Sequence, residues 1–204
     1  MKITLANSAG YCFGVKRALE ITEDACKKGS LYTLGPIIHN KNVIDNLMNM
    51  GAKIADDAHE VPEGETVVIR AHGIGKKELE TLKMKNCNII DAPGPNVKKI
   101  HTIVQTESEA RRFVLIIGDH DHPEVIGISG WCKEYAVIGN EAELENFLNI
   151  RSVNRFDNLS VVAQTTASKT FFDICKEFIK KTCTSVRFFD TICKTTEVRQ
   201  AETY

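Results

Sequence analysis

The sequence lacks most of the features that would set it apart from an ordinary soluble protein. No apolar run approaches the roughly 20 residues of a membrane-spanning helix, so no membrane partner is expected. The formal net charge is only −1, which offers no bulk attraction to nucleic acid or to an anionic surface. Proline is scarce and no Gly/Ser-rich or low-complexity stretch occurs, so no long flexible linker is expected. The opening residues Met1 to Asn7 carry one positive charge and turn polar at once, unlike a secretory signal. Cysteine is present, but its 7 copies are odd in number and irregular in spacing. That excludes a disulfide framework and points to the reducing cytoplasm, where selected thiols bind metals or do chemistry. Cys26, Cys175 and Cys183 fall in helix-like segments and read as small packing residues.

What is present is alternation. Apolar runs at Lys2–Ala6, Leu31–Leu34, Val67–Ile69, Asn88–Ile90, Phe113–Ile117, Tyr135–Ile138, Leu159–Val162 and Val186–Phe189 predict strands. Amphipathic stretches at Val15–Lys28, Asn40–Met50, Lys76–Lys85, Asn96–Ala110, Ala142–Leu148 and Lys169–Lys181 predict helices. Strand–helix alternation predicts an α/β protein with parallel sheets.

Seven positions follow these strands at a repeating interval: Cys12, His39, His72, Gly94, His122, Thr165 and Cys193. Residues just past the carboxyl ends of parallel strands line the ligand crevice of α/β folds. An internal repeat supports the grouping. Asn88-Ile89-Ile90-Asp91-Ala92-Pro93-Gly94 resembles Val186 to Cys193, each running from a strand into Asp with the site position three residues later. Cys12 to Gly94 is 82 residues, Gly94 to Cys193 is 99, His39 to His122 is 83 and His72 to Thr165 is 93, a loose agreement. Two units of similar length, 1–95 and 96–192, are therefore expected, with a third opening at Cys193.

The chemistry follows from residue type. Cys12 lies between Gly10 and Gly14 at a strand-to-helix turn, where unpaired N–H groups favour a thiolate. Cys193 has the same setting, and thiolates converging at strand ends suit an iron–sulfur cluster. A third thiolate at position 94 would complete the cradle, but Gly94 has no ligand atom. His39, His72 and His122 suit an anion such as diphosphate. Glu124, beside His122, is the candidate proton donor. Thr165 can orient a hydroxyl or a water, or simply cap a helix. A zinc deaminase is disfavoured because no Pro-Cys-x-x-Cys follows His122-Pro123-Glu124. Zinc bound by Cys12, His39, His72 and Cys193 lacks paired short spacing.

Taken together, Gly10 to Ala18, Ile38-His39-Asn40, Ala71-His72-Gly73, His122-Pro123-Glu124-Val125, Gln164-Thr165-Thr166, and Thr191-Ile192-Cys193 with Arg199-Gln200 resemble the 4-hydroxy-3-methylbut-2-enyl diphosphate reductase family. The resemblance implies an oxidoreductase of the methylerythritol phosphate route to isoprenoids. It implies two repeated small parallel-sheet α/β domains of a pseudo-threefold, three-domain architecture, with the third domain missing here. It implies a [4Fe-4S] cluster held by Cys12 and Cys193, and electrons from ferredoxin or flavodoxin. His39, His72 and His122 would bind substrate, with Glu124 and Thr165 catalytic. The chain departs from the family at Asp91-Ala92-Pro93-Gly94-Pro95, where the family reads Asp-Ala-Thr-Cys-Pro. An impaired reductase is expected. The alternative is a non-catalytic remnant that binds a diphosphate or a protein partner.

Overall fold

The computed structural model describes residues 5–149 and 158–202. It divides into two compact units, Tyr11–Lys98 and a second made of Met1–Gly10 with Lys99–Tyr204. Cys193 and the helix after it therefore group with the second sheet, as does the segment before Tyr11.

The first unit runs α1 (Phe13–Cys26), β1 (Leu31–Leu34), α2 (Lys41–Asn49), β2 (Ala52–Ala55), β3 (Thr66–Ile69), α3 (Lys76–Met84) and β4 (Asn88–Asp91), and leads into α4 (Pro95–Glu109). Its strands pair in the order β2-β1-β3-β4, all parallel. The second unit continues with β5 (Phe113–Ile117), α5 (Pro123–Ser129), β6 (Tyr135–Ile138), α6 (Glu141–Asn149), β7 (Leu159–Ala163), α7 (Lys169–Thr182), β8 (Val186–Phe188) and α8 (Lys194–Glu202). Its order, β6-β5-β7-β8, repeats that of the first sheet, again all parallel.

Helices cover both faces of each sheet, which is why the central strands are mostly apolar and mostly buried. In the first unit Leu31 and Val68 pack under Ala18, Leu19 and Leu47 of α1 and α2. On the opposite face Val67 and Ile69 meet Leu82 of α3 and Val61 of the β2–β3 loop. In the second, Leu115 and Val161 pack against Phe172, Cys175 and Ile179 of α7, while Val114, Ile116 and Val162 face Ile100, Val104 and Ile128. Cys26, Cys175 and Cys183 are buried, as packing residues should be.

The β2–β3 loop carries no helix of its own. Instead Lys85 drives its ammonium into the loop and donates to the carbonyls of Ala58 (3.2 Å), His59 (2.5 Å) and Val61 (2.6 Å). At the amino ends of β5 and β7, buried Arg112 donates to Ser160 Oγ (2.7 Å) and the Leu159 carbonyl (2.5 Å). Ser160 donates in turn to Glu107 (2.6 Å), which also pairs with Arg187.

The strand expected at Lys2–Ala6 lies mostly outside the described residues, and Leu5 and Ala6 have no regular structure. β2 and the short helix α5 were not expected from the sequence. No helix among the described residues is long and apolar enough to cross a membrane.

Candidate functional site

In the first unit three adjacent strands end in the positions singled out above. β1 leads to His39, β3 to His72 and β4 to Gly94. Gly35 takes a φ of +69° at the end of β1, and a side chain there would collide with Arg70. That turn delivers His39 just before Asn40, whose side chain accepts from Val43 N–H (3.3 Å) and caps α2. Because β1 and β3 are neighbours, the rings of His39 and His72 meet with centroids 5.2 Å apart. His39 is exposed and His72 half-buried.

Cys12 is the N-cap of α1, half-exposed, with its carbonyl accepting from Lys16 N–H (2.9 Å). Gly94 stands in the same relation to α4, accepting from Lys98 N–H (3.2 Å). Arg17 of α1 ties the two together by donating to the carbonyls of Ala92 (3.0 Å) and Pro93 (3.3 Å).

The second unit repeats the plan with different side chains. β5 leads to His122, β7 to Thr165 and β8 to Cys193. Gly118 corresponds to Gly35. Each donates its N–H to the neighbouring edge strand (Ile138 at 3.0 Å, Ala55 at 2.7 Å), and each precedes its histidine by four residues. His122 is the N-cap of α5, and its Nδ1 accepts from Glu124 N–H (3.1 Å). That bond leaves the neutral ring's proton on Nε2.

Glu124 is 3 % exposed, so water cannot satisfy its carboxylate. Thr165 does so twice: its N–H donates to Oε1 and its hydroxyl to Oε2, both at 2.6 Å. Burial pushes the Glu124 carboxyl above its ordinary range, while the two Thr165 bonds pull it back. The group is poised to hold or release a proton in a dry place.

The chain beyond β8 keeps running beside β7. Phe189 N–H reaches the Val161 carbonyl (2.9 Å), and Cys193 N–H reaches that of Thr165 (2.9 Å). Between them the Thr191 hydroxyl accepts from Ala163 N–H (2.8 Å) and donates to the Ala163 carbonyl (2.6 Å). Thr196 donates to the Thr165 carbonyl (3.0 Å), so Cys193 and Thr165 are fixed side by side. Cys193 is half-exposed, and its carbonyl accepts from Glu197 N–H (3.1 Å).

Three residues of the motifs quoted above make supporting contacts that the sequence did not reveal. Gln164 accepts from Asp119 N–H (3.1 Å) and donates to Thr166 (2.8 Å), holding the β5 and β7 loops together. Arg199 donates to the Gly10 carbonyl (2.6 Å). Arg17, within the Gly10 to Ala18 motif, holds the Ala92 and Pro93 carbonyls. Of the remaining histidines, His120 pairs with Glu143 (2.8 Å) and His101 stacks on Trp131.

A cluster held by three protein thiolates does not fit the residues present. Of the three helix-capping positions, two carry sulfur and Gly94 carries nothing. Among the described residues no group of three His, Cys, Asp or Glu side chains is placed to hold a metal ion. Cys87 is no substitute, because it precedes β4 at the sheet's amino end and its thiol points to the carbonyls of Pro62 and Lys85.

Comparison with known proteins agrees with the fold. The family model described as LytB protein matches residues 3–204. A 4-hydroxy-3-methylbut-2-enyl diphosphate reductase of Caldanaerobacter subterraneus is 38 % identical over 205 residues, covering 98 % of this chain and 69 % of the relative. That of Geobacter metallireducens is 40 % identical, covering 99 % and 70 %. A solved structure of (E)-4-hydroxy-3-methyl-but-2-enyl diphosphate reductase superposes with a TM-score of 0.80 at 36 % identity, covering 98 % of this chain and 71 % of that one. The Plasmodium falciparum reductase gives 0.85 at 30 % identity, covering 96 % and 62 %. Two parallel sheets of one topology, the motifs at their strand ends and these matches lead to one assignment: the chain belongs to the LytB family.

Proposed function

We propose that this chain binds 4-hydroxy-3-methylbut-2-enyl diphosphate in the cytoplasm and carries the residues for its reductive dehydroxylation, with impaired turnover. The products would be isopentenyl and dimethylallyl diphosphate. The observation that carries the reading is the buried Glu124–Thr165 pair at the carboxyl ends of β5 and β7, one residue from Pro123 and two from His122. A carboxyl kept dry and raised by burial is suited to giving a proton to a leaving hydroxyl.

In the overall step the allylic C–O bond breaks and the hydroxyl takes a proton and leaves as water. The carbon fragment takes two electrons and a second proton. Glu124 supplies the proton to the hydroxyl, and Thr165 orients that hydroxyl once it turns from the carboxylate. His39, His72 and His122 bind the diphosphate or polarise the substrate through N–H donors. The resemblance implies that Cys12 and Cys193 hold a [4Fe-4S] cluster fed by ferredoxin or flavodoxin. With Gly94 at the third position, that thiolate set is incomplete.

Gly94 favours a second reading, a remnant that keeps the fold and binds the diphosphate, or a protein partner, without turnover. Anaerobic titration calorimetry with the substrate, and turnover with a reduced viologen dye, separate the two. The proposal expects wild-type binding that His39→Ala or His72→Ala weakens at least about tenfold. It expects a low wild-type rate that Glu124→Gln lowers by about 10²-fold with binding kept. Binding with no wild-type turnover assigns the second reading, and no binding overturns the diphosphate in both.

A further inference from the structure

We propose, building on the diphosphate reading above, that Arg70 is a further substrate-binding residue, which supplies the fixed positive charge for a phosphate held by His39 and His72.

Strand order places the residue. The chain leaves β1 toward β2 on one side and β3 toward β4 on the other, so the crevice at their carboxyl ends is where a parallel sheet takes its ligand. β1 and β3 pair Leu34 with Ile69, and the next residue on each is Gly35 and Arg70. Arg70 lies over the glycine: a Cβ built on Gly35 would stand 2.6 Å from Nη1 and 3.5 Å from Cζ. Gly35 precedes His39 by four residues and Arg70 precedes His72 by two. The two imidazole rings meet at the ends of the same strand pair.

The second unit fills the same place with a neutral side chain. β5 and β7 pair Ile117 with Ala163, so Gly118 and Gln164 hold the corresponding positions. A Cβ on Gly118 would meet Gln164 Oε1 at 2.8 Å. That amide is bonded to protein at both ends, accepting from Asp119 N–H (3.1 Å) and donating to Thr166 (2.8 Å). The first unit cannot repeat the bridge. Pro36 has no N–H where Asp119 has one, and a guanidinium has no acceptor.

Arg70 is half-buried, and its Nε donates to the Gly73 carbonyl at 3.3 Å. Its Nη groups have no partner among the described residues, and they are not sealed from solvent. Among the described residues no carboxylate forms an ion pair with it. Glu78 is near enough for its charge to be felt, but its carboxylate accepts from Gly75 N–H (2.7 Å). Burial pulls the guanidinium below its ordinary range, with Glu78 opposing. A half-buried cation with open donors and no counterion is best satisfied by an incoming anion, and its planar fork matches two oxygens of a phosphate.

The test is titration calorimetry of the purified chain under anaerobiosis, with inorganic diphosphate and with the substrate, at several salt concentrations. Wild type is compared with Arg70→Met, Arg70→Lys and Arg70→Gln, the last of which copies the second unit. Lys83→Met removes an exposed charge from the last turn of α3 as a control. Urea unfolding checks each fold. Arg70→Met and Arg70→Gln are expected to bind inorganic diphosphate at least about tenfold more weakly, with a shallower salt dependence. Arg70→Lys should recover part of both, and Lys83→Met should bind as wild type does. Folded Arg70→Met or Arg70→Gln with wild-type affinity overturns the proposal. So does weaker binding with an unchanged salt dependence, or loss of the fold in all three variants, since either makes Arg70 a clamp of the turn at Gly73. An equal loss in Lys83→Met overturns it too, because bulk charge would then suffice. Binding of inorganic diphosphate that needs Arg70, without binding of substrate, removes the reductase reading alone. Substrate binding indifferent to residue 70 removes this inference alone, and a wild type that binds neither ligand removes both.

Discussion

Replacing Thr165 by valine removes one hydroxyl and almost no volume, and it isolates one buried polar contact of the second unit. The lost bond is the 2.6 Å donation to Glu124 Oε2, while the backbone donation to Oε1 remains. With Glu124 only 3 % exposed, water cannot replace the donor. Leaving a buried acceptor short of its donor costs about 1–3 kcal/mol, so a loss of that size is expected. The pH dependence has a definite sign. Burial raises Glu124 in the folded state above its ordinary value of 4.5, so the native chain holds that proton more tightly than the unfolded one. The resulting stabilisation is fully present below the ordinary carboxyl value and is lost as pH rises through the raised folded value. Thr165 hydrogen bonding opposes the raise, so Thr165→Val should move this falling limb to higher pH. Glu124→Gln should abolish it and be no less stable than wild type at neutral pH. Urea unfolding at a series of pH values measures all three chains. A Thr165→Val loss under about 0.5 kcal/mol, or a Glu124→Gln chain with the wild-type pH slope, would refute the account.

Other substitutions test the scaffold. Arg112→Ala leaves buried Glu107 with Arg187 and Ser160 as its remaining partners and the Leu159 carbonyl without its donor, and should cost about 1–3 kcal/mol in urea unfolding. A shift under about 1 kcal/mol would mean that water fills the gap. Gly118→Ala would place a Cβ 2.8–2.9 Å from Gln164 and Val125, and should cost about 1–3 kcal/mol by thermal unfolding. An unchanged melting temperature would contradict that crowding.

Strands and helices with strong periodicity were legible in the sequence, from β5 with its unbroken Phe113–Ile117 run to α7 with its apolar face. β2 was not, because Lys53 and Ile54 face outward and the strand has a single partner, leaving no apolar run to see. α5 was hidden by its length and by Gly127 in its middle. Strand ends located the site positions, but partners did not follow from them. Glu124 read as a neighbour of His122, whereas its carboxylate turns to Thr165, 41 residues away. The contact depends on β5 lying beside β7, with β6 displaced to the edge, and strand order is a long-range property that local spacing does not carry. The meeting of His39 and His72 has the same origin in β1 lying beside β3.

Thr191 acts as a key that fits one slot. Its side chain stands in for a main-chain rung, while the residues two before and two after it bind β7 through their own amides. Slippage by two residues in either direction would bring Phe189 or Cys193 opposite Ala163, and neither carries a hydroxyl to answer both of its groups. Misalignment is therefore penalised at a single residue, and the sulfur of Cys193 inherits its address from a threonine that does no chemistry.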